Sequence, residues 1–218
     1  MKKEEYAAYI EHSVLKMDTT RNDIKRVCEE AKEYGFAAVA ITPANVKYAA
    51  QLLEGTNVKV GAAIGFPLGS STTFIKVAET KDAIANGAQE VDMVINVGAL
   101  KDGLYEYVEN EIKEVVKAAH PSVPVKVILE TFLLTEEEKV KVCQMAVNAQ
   151  ADYVKTCTGF NGGKATKEDI LLMKKAVDGK CRIKASTGIK SREEFEELLE
   201  AGAVRFGTSS GILIVNGD

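Results

Sequence analysis

Lys155 sits in the middle of a short run, Tyr153–Thr156, that breaks into a loop with glycines at 159, 162 and 163. A β-branched and aromatic run of this kind reads as a strand. An ammonium on a buried strand is costly unless it is paired, solvated or neutralised. A second lysine, Lys184, occupies the centre of the run Arg182–Ser186, and Asp92 lies within Glu90–Val97. On adjacent strands the two ammoniums disfavour each other's charge, which lowers a lysine pKa toward neutrality. A neutral amine attacks carbonyls and forms a Schiff base. Asp92, two strands away, would relay protons through water. The same three residues also suit a buried ion-pair lattice, and pattern alone leaves both readings open.

A second constellation lies where the strands end. Gly159 follows the sixth expected strand, Gly188 the seventh, and Gly207 with Ser209 and Ser210 the eighth. Loops after strands seven and eight, with a short helix start, form the usual phosphate site of an eight-stranded α/β barrel. Backbone N–H groups and the positive end of a helix favour an anion there.

The elements that must position these groups follow from alternating apolar runs and amphipathic stretches. Expected strands are Tyr9–Ser13, Phe36–Thr42, Val58–Gly65, Glu90–Val97, Val125–Glu130, Tyr153–Thr156, Arg182–Ser186 and Val204–Thr208. Helices are expected to start near Arg21, Ala44, Thr72, Leu104, Glu136, Lys167, Arg192 and Ser209. Thr135 with Glu138 and Ser191 with Glu194 form capping boxes, and Thr20 with Asp23 and Thr166 with Asp169 are the aspartate variants. Helix ends at positions 35, 87, 150 and 202 step by 52, 63 and 52 residues, about two βα units each. Three are glycine; Gln150 is the exception and should cost roughly 1 kcal/mol as a cap.

Eight strands alternating with helices mean a parallel sheet with right-handed crossovers. The expected fold is α/β, a (β/α)8 TIM barrel, as a single domain over residues 1–218. An open doubly wound sheet is the runner-up, but no G-x-G-x-x-G follows the first strands. Alternate barrel residues point inward. That phase sends Asp92, Val94, Asn96, Lys126, Ile128, Glu130, Tyr153, Lys155, Arg182, Lys184 and Ser186 inside. Val91, Met93, Ile183 and Ala185 then face the helices. So many charged side chains in a barrel interior suggest a site rather than a packing core.

A net charge of −4 argues against a general nucleic-acid surface. No apolar run approaches the about 20 residues that span a membrane, and no secretory signal follows Met1. The four cysteines, Cys28, Cys143, Cys157 and Cys181, form no C-x-x-C pair and read as free thiols of a cytoplasmic protein. Cys157 reads as a packed thiol, reactive only if the nearby ammoniums act on it. With two histidines in the chain, a His-rich metal site is not expected. His12 reads as a hydrogen-bonded core residue and His120 as surface.

The run Val154–Phe160, with Glu90–Asn96, Ile183–Ser186, Gly65–Gly69 and Gly207–Gly211, resembles the deoxyribose-phosphate aldolases nearly end to end. The resemblance implies a class I aldolase on a (β/α)8 barrel, a lyase with no cofactor and no metal. It would join acetaldehyde reversibly to glyceraldehyde 3-phosphate, giving 2-deoxy-D-ribose 5-phosphate. Lys155 would form the Schiff base, Lys184 would depress its pKa, and Asp92 would relay protons. Gly159, Thr187, Gly188, Gly207, Ser209 and Ser210 would hold the phosphate. Its partners would be small-molecule aldehydes and sugar phosphates, with no nucleic acid and no membrane; a homodimer stays open.

The departures from the family pattern cluster around the pocket. Cys157 stands where serine is usual, and Glu11-His12-Ser13 replaces Asp-His-Thr, putting a longer carboxylate near the substrate. Ala40 and Thr42 replace a common cysteine and a common Asn or Tyr. Ser186-Thr187-Gly188-Ile189-Lys190 replaces Ser-Gly-Gly-Ile-Arg, so Thr187 carries a side chain where glycine is expected. The tyrosine that ends many members has no counterpart at Asp218. A member with altered acceptor or phosphate preference is the reading these changes support. The competing readings are another sugar-phosphate enzyme on a barrel, such as an isomerase, and a barrel that binds without catalysis.

Overall fold

The structure, a computed structural model, describes residues 1–217; Asp218, the position compared above with the family's terminal tyrosine, lies outside the described residues. The strands are β1 (Ile10–Ser13), β2 (Ala38–Ile41), β3 (Lys59–Ile64), β4 (Glu90–Val94), β5 (Val125–Ile128), β6 (Tyr153–Lys155), β7 (Arg182–Ser186) and β8 (Arg205–Thr208). All pair in parallel, in chain order, and β8 closes on β1, which makes a (β/α)8 barrel. The first helices are α1 (Lys3–Ala7), α2 (Arg21–Tyr34), α3 (Val46–Leu52), α4 (Thr73–Ala85) and α5 (Val97–Lys101). They are followed by α6 (Tyr105–Ala119), α7 (Glu136–Asn148), α8 (Lys167–Val177), α9 (Arg192–Ala201) and α10 (Gly211–Asn216). No helix among the described residues is long and apolar enough to cross a membrane.

Local chemistry sets most helix boundaries. Thr20, Thr135 and Ser191 each accept from the backbone three residues on, and Asp23, Glu138 and Glu194 reciprocate. Thr166 caps α8 alone, because Asp169 turns to Lys139 at 2.7 Å instead of closing the box. The repeat of helix ends is real. Ala88, Ala151 and Ala203 each donate to a carbonyl five residues back, and Gln150 takes a left-handed φ of 60° in the place glycine fills elsewhere.

The strands run shorter than the apolar runs, for physical reasons. Asn96, expected inside on β4, caps α5: its side chain accepts from Ala99 N–H at 3.0 Å. Glu130, expected inside on β5, enters a left-handed turn at φ 58° and leaves the sheet. The helix expected near Ala44 opens as a 3-10 turn, Pro43–Asn45, and the last begins at Gly211 rather than Ser209. Helices α1 and α5, five residues each, are too short to show a period and were not expected.

Apolar residues face the helices as the phase requires: Val91, Met93, Ile183 and Ala185 all lie in the buried shell between sheet and helices. The interior is different. Glu11, Lys126 and Lys184 are fully buried there, with Asp92 and Lys155 nearly so.

Candidate active site

Register brings the lysines together. Lys155 on β6 pairs directly with Lys184 on β7, and Asp92 on β4 pairs with Lys126 on β5. The Lys155 and Lys184 ammoniums donate to one oxygen, Asp92 Oδ2, at 2.7 and 2.6 Å. Lys126 donates to the other, Oδ1, at 2.9 Å. Asp92 therefore reaches the lysines directly, without the water that sequence reasoning supplied.

Beneath this trio lies a layer the sequence reading did not assemble. Lys126 Nζ also meets Glu90 at 2.6 Å and Glu11 at 3.4 Å. Glu11 accepts from Lys184, and Arg205 reaches Glu11 and Glu90 at 3.8 and 3.5 Å. Glu11 was expected near the substrate; it is instead buried under the lysines and does not line the cavity. Its signal was available in Glu11's inward phase on β1. The lattice thus holds four cations (Lys126, Lys155, Lys184, Arg205) against three carboxylates (Glu11, Glu90, Asp92).

That excess of one positive charge decides which group gives way. Burial lowers the Lys155 ammonium and the charge of Lys184 adds to it; Asp92 opposes them, and the result is about 8. Burial would raise the Asp92 carboxyl, but Lys126, Lys155 and Lys184 together hold it well below the usual carboxylate range. Burial also works against the Lys126 ammonium, yet Asp92, Glu11 and Glu90 outweigh it and push the group up. Lys126 is a permanent cation, and Lys155 is the lysine that releases its proton near neutrality. The ion-pair lattice and a lysine of lowered pKa are therefore parts of one arrangement.

Lys155 and Lys184 open into a cavity of about 190 Å3 at the carboxyl ends of the strands. Of the expected phosphate residues, Thr187, Gly188, Gly207, Ser209 and Ser210 line it; Gly159 lines a neighbouring cavity of about 630 Å3. Ser13, Leu15, Thr158 and Ser209 border both. Lys190, unassigned from the sequence, brings a cation to the smaller cavity. Gly207 makes room rather than a turn: a Cβ there would meet Lys184 Cε at 3.2 Å. Ser210 N–H is already donated to Thr208 Oγ1 at 2.9 Å, which leaves its hydroxyl for a ligand. Among the described residues, the N–H groups of Gly188 and Ser209 carry no hydrogen bond.

Thr187 takes φ 78° and Gly188 φ 80°. A β-branched residue there is an outlier. The Thr187 side chain fills space left by Gly159, whose Cβ would fall 2.8 Å from Thr187 Oγ1. Cys157 is buried, bonded to Thr131 Oγ1 at 3.4 Å, and burial pushes its thiol up. It is the packed thiol, not an activated one. His12 bonds Glu30 at 2.6 Å as a core histidine. His120 is half-buried and bonds Asp152 at 2.8 Å.

A barrel whose interior carries a lysine of lowered pKa at its open end is suited to carbonyl chemistry. Residues 6–215 match the DeoC/LacD family aldolases, and the chain belongs to that family. It is 56% identical over 211 residues to a deoxyribose-phosphate aldolase of Geobacillus sp. (strain WCH70), covering 97% of this chain and 95% of the relative. A deoxyribose-phosphate aldolase of Bacillus cereus (strain AH820) is 57% identical over 212 residues, with the same coverage. The tetrameric deoxyribose phosphate aldolase of Aeropyrum pernix superposes with a TM-score of 0.91 at 30% identity, over 99% of this chain and 91% of that one. The protein is an aldolase, hence a lyase.

Proposed function

We propose that this chain is a class I deoxyribose-phosphate aldolase that works through a Schiff base on Lys155. In this reading it joins acetaldehyde to glyceraldehyde 3-phosphate, reversibly, giving 2-deoxy-D-ribose 5-phosphate. The observation that carries the reading is Lys155 at about 8, bonded to Asp92 Oδ2 in the wall of the cavity. At pH 7 roughly a tenth of such a lysine is neutral, against a few in ten thousand for an unshifted one.

The neutral Nζ adds its lone pair to the aldehyde carbon, and the carbonyl oxygen leaves as water after taking two protons. The resulting iminium withdraws electrons, so the neighbouring carbon loses a proton and becomes an enamine carbon. That carbon attacks the acceptor aldehyde, forming the new C–C bond, and water then releases the product and regenerates Lys155. Asp92 Oδ2 takes and returns these protons, because it touches both Lys155 and Lys184. Lys184 keeps the pocket positive and disfavours the charged form of Lys155. The acceptor's phosphate is held by the free N–H groups of Gly188 and Ser209, the hydroxyls of Thr187, Ser209 and Ser210, and Lys190. Gly159 and Gly207 let the walls close on it.

The same reading takes residues 1–218 as one domain. It puts the protein in the cytoplasm, supported by four buried free thiols. It leaves a homodimer open, beside the tetramer that the Aeropyrum pernix relative forms. Borohydride reduction in the presence of acetaldehyde tests the central claim. An ethyl group on Lys155, found by peptide mass, is the expected result. Ethylation of Lys184 with Lys155 unmodified would reverse the two roles.

A further inference from the structure

Glu130 is a buried carboxylate that the chemistry above does not use. It is 1% exposed, two residues past the end of β5, and no lysine, arginine or histidine among the described residues lies within ion-pair distance. Its backbone is strained into the left-handed region at φ 58°, yet it is fastened on both sides to the lysine strand. Leu129 N–H donates to Lys155 O at 2.9 Å, and Thr131 N–H to Thr156 O at 3.1 Å.

All the partners of the carboxylate come from the loop that follows Lys155. Thr158 N–H donates to both oxygens at 3.3 Å, Thr158 Oγ1 donates to Oε2, and Asn161 Nδ2 donates to Oε2 at 3.2 Å. Thr158 Oγ1 in turn accepts from Phe160 N–H at 3.1 Å. The order of donors is therefore fixed: a carboxylate accepts everything, and it holds residues 158–161 as a unit. The outer side of that unit is packed as well, with the Phe160 ring edge-to-face on Phe66 at 5.3 Å. This loop lies at the boundary of the two cavities: Thr158 borders both, with Ser13, Leu15 and Ser209 from other segments, and Gly159 and Phe160 border the larger.

We propose that Glu130 is a positioning residue that holds the Thr158–Asn161 loop as the wall of the acceptor site, and so sets its selectivity for phosphorylated aldehydes. The inference rests on the phosphate reading of the smaller cavity. A strained, buried residue with no cation beside it persists only where the surroundings over-determine it, and here every side-chain hydrogen bond serves this wall. Freed from Glu130, the loop carries Gly159 away from Thr187 and joins the small cavity to the large one.

The test compares Glu130→Ala, Glu130→Gln and Asn161→Ala with the unsubstituted protein, using 2-deoxyribose 5-phosphate and 2-deoxyribose. Glu130→Ala is expected to raise KM for the phosphorylated sugar about tenfold, with kcat within about threefold and KM for the free sugar little changed. Glu130→Gln keeps one oxygen to accept from Thr158 and Asn161, and should recover most of the loss. Asn161→Ala removes one strut without touching Glu130 and should shift KM in the same direction by a smaller factor; it carries the test if Glu130→Ala does not fold. A fall in kcat with KM unchanged, or equal losses for both sugars, would overturn the proposal. Ethyl trapping at Lys155 in the unsubstituted protein separates failure of this inference from failure of the Schiff-base reading.

Discussion

Lys155 and Lys184 share one acceptor, the Oδ2 of Asp92, at 2.7 and 2.6 Å. Only one of them is also held from below, where Lys184 contacts Glu11. The singly held lysine is the one whose pKa burial and the neighbouring charge lower, to about 8. In the proposed reading, this asymmetric pairing of two like residues separates nucleophile from electrostatic neighbour.

Lys184→Leu should therefore move the alkaline behaviour of Lys155. Removing a nearby positive charge favours the protonated amine, so the Lys155 pKa rises above about 8 and the rising limb of the pH–rate profile shifts to higher pH. The substitution also strips Glu11 of a partner, at a cost of about 3–5 kcal/mol for breaking a buried pair. Lys184→Leu combined with Glu11→Leu should regain part of that stability, with a smaller upward shift, because Glu11 also favours the Lys155 ammonium. Lost activity with an unmoved profile would instead make Lys184 a proton donor.

Lys155 itself should weigh against stability. Its folded pKa, about 8, lies below the unfolded value near 10.4, so the unfolded chain binds more protons between these limits. Stability must then rise with pH across that window, and the penalty is fully present below pH 8. Lys155→Met, which resembles the neutral amine in shape, is expected to be more stable at pH 7 by a few kcal/mol. The advantage should shrink as pH climbs from 8 toward 10. Denaturant midpoints at pH 7 and pH 10 measure it, and a less stable variant at pH 7 would mean the ammonium is well accommodated.

The same asymmetry explains what the sequence disclosed. Strand period alone turned Asp92, Lys126, Lys155 and Lys184 inward, and the caps Thr20, Thr135 and Ser191 located three helix starts. Closure of β8 on β1 is the step that lies beyond pattern. It brings Glu11, at the start of the chain, against Lys184, 173 residues later. Glu130 and Asn96 were misread for a related reason. Each continues an apolar run, but each finds better partners outside the sheet, in Thr158 and in the start of α5. A run of apolar residues specifies burial, and tertiary hydrogen bonds decide where it stops being a strand.

A second buried pair lies behind the barrel, where Lys76 on α4 meets Glu111 on α6 at 2.7 Å, both fully buried. Lys76 also donates to Val94 O at 2.8 Å, and Glu111 accepts from Asn96 N–H at 3.1 Å, which ties the end of β4 to the helices. Burial lowers the lysine and raises the glutamate, so desolvation outweighs attraction in each. Lys76→Met should cost about 3–5 kcal/mol by leaving Glu111 without its cation. Lys76→Met with Glu111→Leu should recover most of it. Chemical denaturation of the single and double variants checks this, and a double variant no better than the single would show a net attractive pair.

Thr187 stands where the aldolase pattern has glycine, and the structure supplies the condition under which that matters. Its φ is 78°, in the region where a β-branched residue is strained by about 1–3 kcal/mol. Its Oγ1 and Cγ2 crowd toward Gly159, which tolerates them only because it lacks a Cβ. Thr187→Gly should relieve the strain, offset partly by the added freedom of the unfolded chain, and raise stability by about 1 kcal/mol. It should also open the turn, so that the Gly188 N–H approaches a phosphate oxygen without a side chain beside it. The preference for 2-deoxyribose 5-phosphate over 2-deoxyribose is then expected to increase in Thr187→Gly. A gain of about 1.4 kcal/mol in selective binding would appear as a tenfold rise in the ratio of the two kcat/KM values. The opposing force is the Thr187 hydroxyl, which can donate to the phosphate itself. Measuring both ratios decides between them: an unchanged or smaller ratio in Thr187→Gly would mean that the hydroxyl has joined the phosphate site and outweighs the strain of holding it there.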